Sequence, residues 1–560
     1  MGNEKEVTMG AGEGKADAIS RFEELCRNAV AEQEKFLMDR LAENKDTEYG
    51  KLFGFEDIHS VEEYQKELPI TFHYDYETII ERQISGEERL LTEERPVYYC
   101  ISSGSTDSPK YVPIIEKDIL RQKFYWMDVI RGMIRRQMPD ATDEELFGKI
   151  FQIGEFRRDF MSDGTMSGVR AGALHRYLES KGELNIDCYT APKEVMFPSN
   201  TLEDMLYVKV RFALACRDVT AIHGVFVNRV VGVLRYITDN WDAFLADIET
   251  GGISDCFLVS HEWELYLKEH LPADPERAAE LRAIPREDLE NELVRKIWPK
   301  IKYGQMIGGS MFKPYMDKLW TYVGDLPIHY FTYAASEGCF GIARGVNEED
   351  AYYTLLPDTC FYEFVPETGE GERIYTIRDV EVGSKYELLI TTFSGGYRYA
   401  IGDVVEVVGF DGQAPIVRVC YRKSQVINIA DEKMNVRQLE NAMRKFQSRA
   451  ECTAEGFCVD GDYAAQRPRY LLYLELAAGE LPENAEAILD ECLMESSFGY
   501  KRDRELAEID RVKIQLIPQG GFKAYGRFMA KLGHSKEQDK PLRVLVTEEQ
   551  KAFFGGALLL

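Results

Sequence analysis

Three short segments of the chain carry residue types that can handle a nucleoside phosphate. The first is Ser102-Ser103-Gly104-Ser105-Thr106-Asp107-Ser108-Pro109-Lys110. A phosphate needs several donors at close range. Gly104 lets backbone N–H groups approach, the Ser and Thr hydroxyls add hydrogen bonds, and Lys110 closes the loop with a positive charge. The spacing is not that of a Walker loop, because GxxxxGK[ST] is absent, and the composition also suits an exposed Ser/Gly linker. The second segment, Tyr333-Ala334-Ala335-Ser336-Glu337-Gly338, follows the aromatic run PIHYFT. A carboxylate there can hold a divalent cation beside phosphate, or simply cap a strand before a turn. In the third, YRYAIGDVV from Tyr397 to Val405, Asp403 can accept hydrogen bonds from two ribose hydroxyls. A hairpin turn with a structural Asp is the plainer alternative.

These segments need elements to position them. VYYCI before the first loop and YVPII after it read as strands, as do 327–333, 353–364 and YELLITTF at 386–393, all rich in aromatic and β-branched residues. Helical spacing marks 18–42, 118–137, 203–216 and the long stretch 221–250. His223, Phe226 and Arg235 on that last stretch are candidates for an acid-binding pocket. A histidine satisfied within the core, or an Arg paired with a neighbouring carboxylate, is the simpler reading of each. After Gly409 a loop (FDGQAPIV) leads through VRVCYRK and QVINI into a polar helix, then RYLLYLELA, NAEAILDECLMESS and VKIQLIP alternate strand and helix. The expected organisation is a frayed tail over 1–18, a large α/β domain over 19–423 and an α+β unit over 424–560.

Composition narrows the classes of partner. The 560 residues hold 68 Lys and Arg against 96 Asp and Glu, a formal charge of −28, with 45% hydrophobic and 29% charged residues. That is a globular balance. Its acidic surface disfavours nucleic acid and anionic membrane as partners. The eleven cysteines include no CxxC, and the start MGNEKEVTMG has no apolar leader core. No apolar run approaches the roughly 20 residues of a membrane span. Reduced thiols in a cytoplasmic protein, a monomer or weak homo-oligomer, are expected.

Taken in order, S-S-G-S-T-x-x-P-K, Y-A-A-S-E-G and Y-R-Y-x-x-G-D-V-V resemble the adenylate-forming superfamily, and within it the Gretchen Hagen family of acyl acid amido synthetases. LPITFHYDYETIIERQISGE at 68–87, IGGSM at 307–311, FYEFVPE at 361–367, APIVRVCYRKSQVINIADEKMNV at 414–436, GYKRDR at 499–504 and QDKPLR at 538–543 resemble the same family. The likeness spans most of 45–545. It implies a large N-terminal adenylate-forming domain of sheets with packed helices and a smaller, mobile C-terminal α+β domain. It also implies a ligase that uses ATP and Mg²⁺ to turn a small carboxylic acid into an acyl-adenylate, then joins it to an amino acid.

By that resemblance Ser102, Ser103, Gly104, Ser105, Thr106 and Lys110 hold the ATP phosphates, and Ser336 contacts the α-phosphate. Glu337 coordinates Mg²⁺, Tyr333 helps to frame the adenine, Asp403 binds the ribose, Arg422 lies near the hinge and the nucleotide, and Lys540 reaches toward the adenylate. The loop departs from the family in offering Asp107 and Ser108 where a Gly is usual. A carboxylate facing triphosphate is repulsive, so Asp107 must turn away, cap a turn or sit by a metal. The S-T-x-x-P-K ending is closer to acyl-CoA ligases. A thioester ligase and a nucleotide-binding protein without turnover therefore stay open as alternatives.

Overall fold

The computed structural model describes residues 14–102, 110–154, 156–198, 205–309, 312–346, 348, 350–367, 373–422, 427–430, 432, 434–531, 542–545 and 548–557. The chain packs as two units, one comprising residues up to Ile101 with Tyr111–Tyr421, the other mostly from Arg422 onward.

Three sheets build the first unit. A small sheet has the order β2-β1-β5-β4, with β1 (Tyr98–Ser102), β2 (Lys110–Ile114), β4 (Asp159–Phe160) and β5 (Met166–Gly168). The second, of order β3-β6-β7-β8, joins β3 (Ile150–Gln152), β6 (Ala221–Phe226), β7 (Tyr303–Ile307) and β8 (Ile328–His329). All of its pairs are parallel. The third is antiparallel and seven-stranded, of order β12-β13-β14-β15-β11-β10-β9. Its strands are β9 (Thr332–Ala335), β10 (Gly338–Ile342), β11 (Tyr353–Leu355), β12 (Cys360–Pro366), β13 (Lys385–Thr392), β14 (Tyr399–Asp411) and β15 (Ala414–Arg422). One continuous apolar core runs through this unit.

The second unit has its own core beneath a sheet of β16 (Thr453–Asp462), β17 (Arg469–Ala478) and β18 (Asp510–Leu516). The hairpin partner β16 is antiparallel to β17, and β18 is parallel to it. A parallel pair needs a crossover, and the helix Ala485–Ser496 supplies it. The helix Val436–Arg449 opens with a reciprocal capping box between Asn435 and Gln438.

The structure redraws four sequence expectations. The stretch 221–250 is not helical throughout: β6 comes first, then the helices Val227–Asp239 and Trp241–Thr250. Gly224 explains the change, because a Cβ there would lie 2.4 Å from Cγ2 of Val230, so chain and helix meet too closely for any other residue. The 18–42 helix is two helices, Gly14–Arg27 and Ala29–Asn44, broken at Asn28 where ψ is 21°. Of the tail expected over 1–18, residues from Gly14 are helical and Ala18 is buried, while 1–13 lie outside the described residues. The loop after Gly409 is a tight hairpin instead, with Gly412 in the left-handed region (φ 60°) between β14 and β15.

Candidate active site

Asp403 owes its position to a strand irregularity. Along β13 and β14 the partners run Glu387↔Val404 and then Leu389↔Ala400, so Ile401, Gly402 and Asp403 stand opposite Leu388 alone. Gly402 absorbs the kink at φ 82°. A bulge re-aims the side chain after it, and here it sends Asp403 inward, 4% exposed, with Oδ2 accepting 2.8 Å from the Tyr333 hydroxyl. The Tyr333 ring packs against Phe340 and Tyr353 at 5.2 and 6.0 Å. Tyr333 is thus anchored within the antiparallel sheet, its polar end spent on Asp403.

Two residues beyond β9, the turn to β10 presents Ser336 and Glu337, both half-buried. Glu337 lines a small cleft of about 30 Å³ with Val112 and Pro113 of β2, His73, Tyr76, Thr392, Ser394, Gly395, Gly396 and Tyr399. Its charge is also felt by the Cys100 thiol on β1, which burial pushes up to about 12. β2, the strand that follows the hydroxyl loop, therefore runs to the Glu337 turn. A larger groove of about 710 Å³, lined in part by Arg21, Phe36, Arg121 and Phe393, holds none of the three motifs.

Other predicted positions are less fully placed. Lys110 is the first residue of β2 and half-buried. Ser102 ends β1 and Arg422 ends β15, with side chains outside the described residues. Ser103, Gly104, Ser105, Thr106, Asp107 and Lys540 lie outside the described residues altogether. Among the described residues no group of three or more His, Cys, Asp or Glu side chains could hold a metal ion. Glu337 suits Mg²⁺ in another way, since that ion is commonly bound by one or two carboxylates with substrate phosphates completing its shell.

The Y-R-Y motif turns out to be scaffold. Arg398, 3% exposed and at φ 48°, pairs with fully buried Glu363 at 3.1 Å. It also donates to the Gln65 and Leu68 carbonyls at 2.6 Å each. Burial holds the Glu363 carboxyl above its ordinary range, with the Arg398 charge offsetting part of the rise. Tyr397 exchanges hydrogen bonds with the Tyr76 hydroxyl, its N–H donating at 2.9 Å and its carbonyl accepting at 3.1 Å. Segment 65–76 is thereby tied to the entrance of β14, which brings His73 and Tyr76 into the cleft.

His223 sits on β6, with Nε2 3.3 Å from the Tyr303 hydroxyl. Burial, then the nearby charges of His175 and Arg131, push its pKa down to about 3. Phe226 ends the same strand, its ring 5.7 Å from Phe312. Arg235 lies on the following helix, its charge felt by Tyr322 and not among those acting on His223.

Sequence reasoning missed His73, Tyr76, Thr392 and Ser394 as cleft residues. The signal was there in Ser394-Gly395-Gly396 just before the Y-R-Y motif. Gly395 is at φ 93°, and a Cβ would come within 2.7 Å of the Leu91 Cβ, so only glycine fits.

Known proteins share the sequence pattern and the fold. The sequence patterns of the GH3 family N-terminal, central and C-terminal domains match residues 18–328, 353–422 and 437–549. The Arabidopsis thaliana indole-3-acetic acid-amido synthetase GH3.4 is 28% identical, over 94% of this chain and 91% of its own length. The 4-substituted benzoates-glutamate ligase GH3.12 of the same plant is 27% identical over 94% of each chain. The jasmonoyl–L-amino acid synthetase GH3.5 of Oryza sativa subsp. japonica is 26% identical, covering 96% of this chain and 95% of its own. The solved structure of the GH3.15 acyl acid amido synthetase has the same fold, with a TM-score of 0.65 at 22% identity over 96% of this chain and 95% of that one. With its three domain patterns in order over most of its length, this chain belongs to the GH3 family.

Proposed function

We propose that this protein is an ATP-dependent acyl acid amido synthetase, a ligase that forms a carbon–nitrogen bond through an acyl-adenylate. In the first half-reaction a carboxylate oxygen attacks the α-phosphorus of ATP, and pyrophosphate leaves with the electron pair of the broken P–O bond. In the second, the uncharged amine of an amino acid attacks the activated carbonyl. AMP leaves with the C–O pair, and the amine proton passes to solvent or to the AMP phosphate. A carboxylate is a poor electrophile and AMP a good leaving group, so no side-chain nucleophile is needed.

The observation that carries this reading is the convergence of motifs from distant parts of the chain. The strand that follows the hydroxyl loop meets the Glu337 turn, and two residues before that turn's strand ends, Tyr333 holds Asp403. In this assignment Ser102–Thr106 and Lys110 bind the phosphates, and Ser336 orients the α-phosphate. Asp403, aimed by the Gly402 bulge and steadied by Tyr333, takes the ribose hydroxyls. By the family resemblance Arg422, at the end of β15, and Lys540 would add positive charge. Glu337 would hold Mg²⁺, which when bound neutralises charge developing on the phosphate oxygens. His223 and Phe226 belong to the acid pocket. No helix among the described residues is long and apolar enough to cross a membrane, and all eleven cysteines are free. A cytoplasmic setting, as a monomer or weak homo-oligomer, suits that thiol state.

The test is a screen of small aromatic and aliphatic acids. Pyrophosphate release that requires the acid is expected, with AMP and a mass-identified amide appearing only when an amino acid is added. Acid-dependent pyrophosphate release that yields a thioester with coenzyme A, and no amide with any amino acid, would overturn the amide assignment.

A further inference from the structure

The parallel sheet carries a row of polar side chains at its carboxyl-terminal edge. Gln152 of β3 pairs in register with His223 of β6, His223 with Gln305 of β7, and Gln305 with His329 of β8. Register partners in adjacent parallel strands point to one face. Four polar residues therefore stand side by side across a sheet whose opposite face is apolar. There Phe151, Ile222 and Ile328 are buried, and a Cβ on Gly304 would meet Ile328 Cδ1 at 2.8 Å.

The row is unevenly satisfied. His329 is fully used, with Nε2 3.1 Å from the Ala343 carbonyl and Nδ1 accepting from the Phe331 N–H at 3.1 Å. His223 uses only Nε2. Gln152 and Gln305 are each 8% exposed, and no side-chain hydrogen bond reaches either among the described residues. Their amide atoms are not sealed in the core, so a hydrogen-bonding group can reach them. Gly154 lies just past β3, where a Cβ would crowd Gln152 Nε2 at 3.2 Å.

Ligands of open parallel sheets bind beyond the carboxyl ends of the strands, which is where this row lies. From His329 the chain turns directly into β9, which carries Tyr333 and leads to Ser336 and Glu337. Charge in the row is low. Burial keeps the His223 and His329 imidazoles neutral, down to about 3 and about 4. Among the cations acting on His223 is Arg131, whose guanidinium stacks 4.3 Å over Phe147, and the buried Lys209 ammonium is spent on the Ile153 and Gly154 carbonyls at 3.4 and 2.8 Å.

We propose that Gln152, His223 and Gln305 form a subsite for an uncharged hydrogen-bonding group at the far end of the acid substrate, such as a hydroxyl, a carbonyl or a ring N–H. This rests on reading the protein as an acid-activating enzyme. Two amides and a neutral imidazole offer both donors and acceptors, and such a site rejects an analogue that leaves them unpaired more strongly than an apolar pocket rejects an added group.

The experiment is calorimetric binding to the full-length protein, with matched acids as probes. The pairs are benzoate with 4-hydroxybenzoate, hexanoate with 6-hydroxyhexanoate, and naphthalene-1-acetate with indole-3-acetate. Terephthalate serves as the doubly charged comparison. In at least one pair the hydrogen-bonding member should bind tenfold or more tightly, with terephthalate weaker than 4-hydroxybenzoate. In Gln305→Leu and in Gln152→Leu that ratio should fall below threefold, while far-UV circular dichroism and the unfolding midpoint report an intact fold. Equal affinity within every pair, a preference for terephthalate, or a ratio that survives both folded variants would overturn the subsite. Pyrophosphate release with the same acids reads the parent assignment separately. Turnover without discrimination removes the subsite alone, and discrimination in binding without turnover removes the ligase assignment alone.

Discussion

The antiparallel and parallel sheets of the first unit both bury polar side chains, but they treat them in opposite ways. In the antiparallel sheet the buried charged and phenolic groups pair within the protein, Arg398 with Glu363 and Tyr333 with Asp403, and Thr332 donates to the Gly341 carbonyl at 2.6 Å, while the Thr354 hydroxyl alone of these has no partner among the described residues. In the parallel sheet Gln152, Gln305 and one nitrogen of His223 are left without one among the described residues. Satisfied groups fix geometry, and unpartnered ones are free to meet a ligand. On the proposed assignment, the difference separates a frame that would hold the nucleotide from a surface that would read the substrate.

Acid should separate the two sheets most. The His175, His223 and His329 imidazoles start from an ordinary value of 6.5 and are pushed by burial to about 4, 3 and 4. Between pH 6.5 and 4 the unfolded chain binds protons that the folded chain refuses, so stability falls as pH falls, by about 1.4 kcal/mol per imidazole per pH unit. Glu363 in the antiparallel sheet is raised, so its contribution has the reverse sign and fades as pH rises. From pH 7 to 5 a loss on the order of 5 kcal/mol is expected, read as the urea midpoint of the first unit. His175→Phe should make that slope shallower. A midpoint that is flat or rises on acidification would contradict the neutral row.

Removing Arg398 comes next. Arg398→Met strands Glu363 in the core, and breaking a buried pair from one side costs about 3–5 kcal/mol. Arg398→Met with Glu363→Leu should recover a good part of that. If the double variant is no better than the single one, the pair is not the unit that matters.

Asp403→Ala acts on function rather than fold. Loss of hydrogen bonds to a charged group is worth about 1.5–3 kcal/mol, so ATP should bind roughly 10- to 150-fold more weakly. Tyr333→Phe should give a smaller loss in the same direction, since it removes only the hydroxyl that steadies Asp403. An unchanged ATP affinity in Asp403→Ala would mean that the bulge serves the sheet alone.

Legibility in the sequence followed the same divide. Aromatic and β-branched runs announced β9, β12 and β13, and the alternating pattern after 427 announced the second unit, because those residues are chosen for packing. Asp403 and Glu337 stood out as charged residues directly beside a glycine in otherwise apolar, strand-forming runs. Arg398 lies in a motif that resembles a nucleotide site, and nothing local reveals that Glu363, thirty-five residues away, absorbs it. The polar row was invisible for a related reason. Gln152, His223, Gln305 and His329 are separated by long crossovers, and only strand register places them together. Even β6 was hidden, since AIHGVF runs into a helix and shares its apolar rhythm.

The smallest effect is the most telling one. If Gln305 were a structural residue, Gln305→Leu would cost stability, because a hydrogen-bonded amide would be exchanged for an aliphatic group and its partner stranded. The amide has no side-chain partner among the described residues, so the exchange strands nothing and adds apolar contact in nearly the same volume. A neutral or slightly positive change, about 1 kcal/mol at most, is therefore expected in the urea midpoint. Arg398→Met, equally buried, must lose several times as much. Opposite signs at two buried polar positions of one unit would establish that the sheets differ in purpose. A loss of more than about 1.5 kcal/mol in Gln305→Leu would return the parallel sheet to the role of frame, because volume-conserving core exchanges alone stay below that.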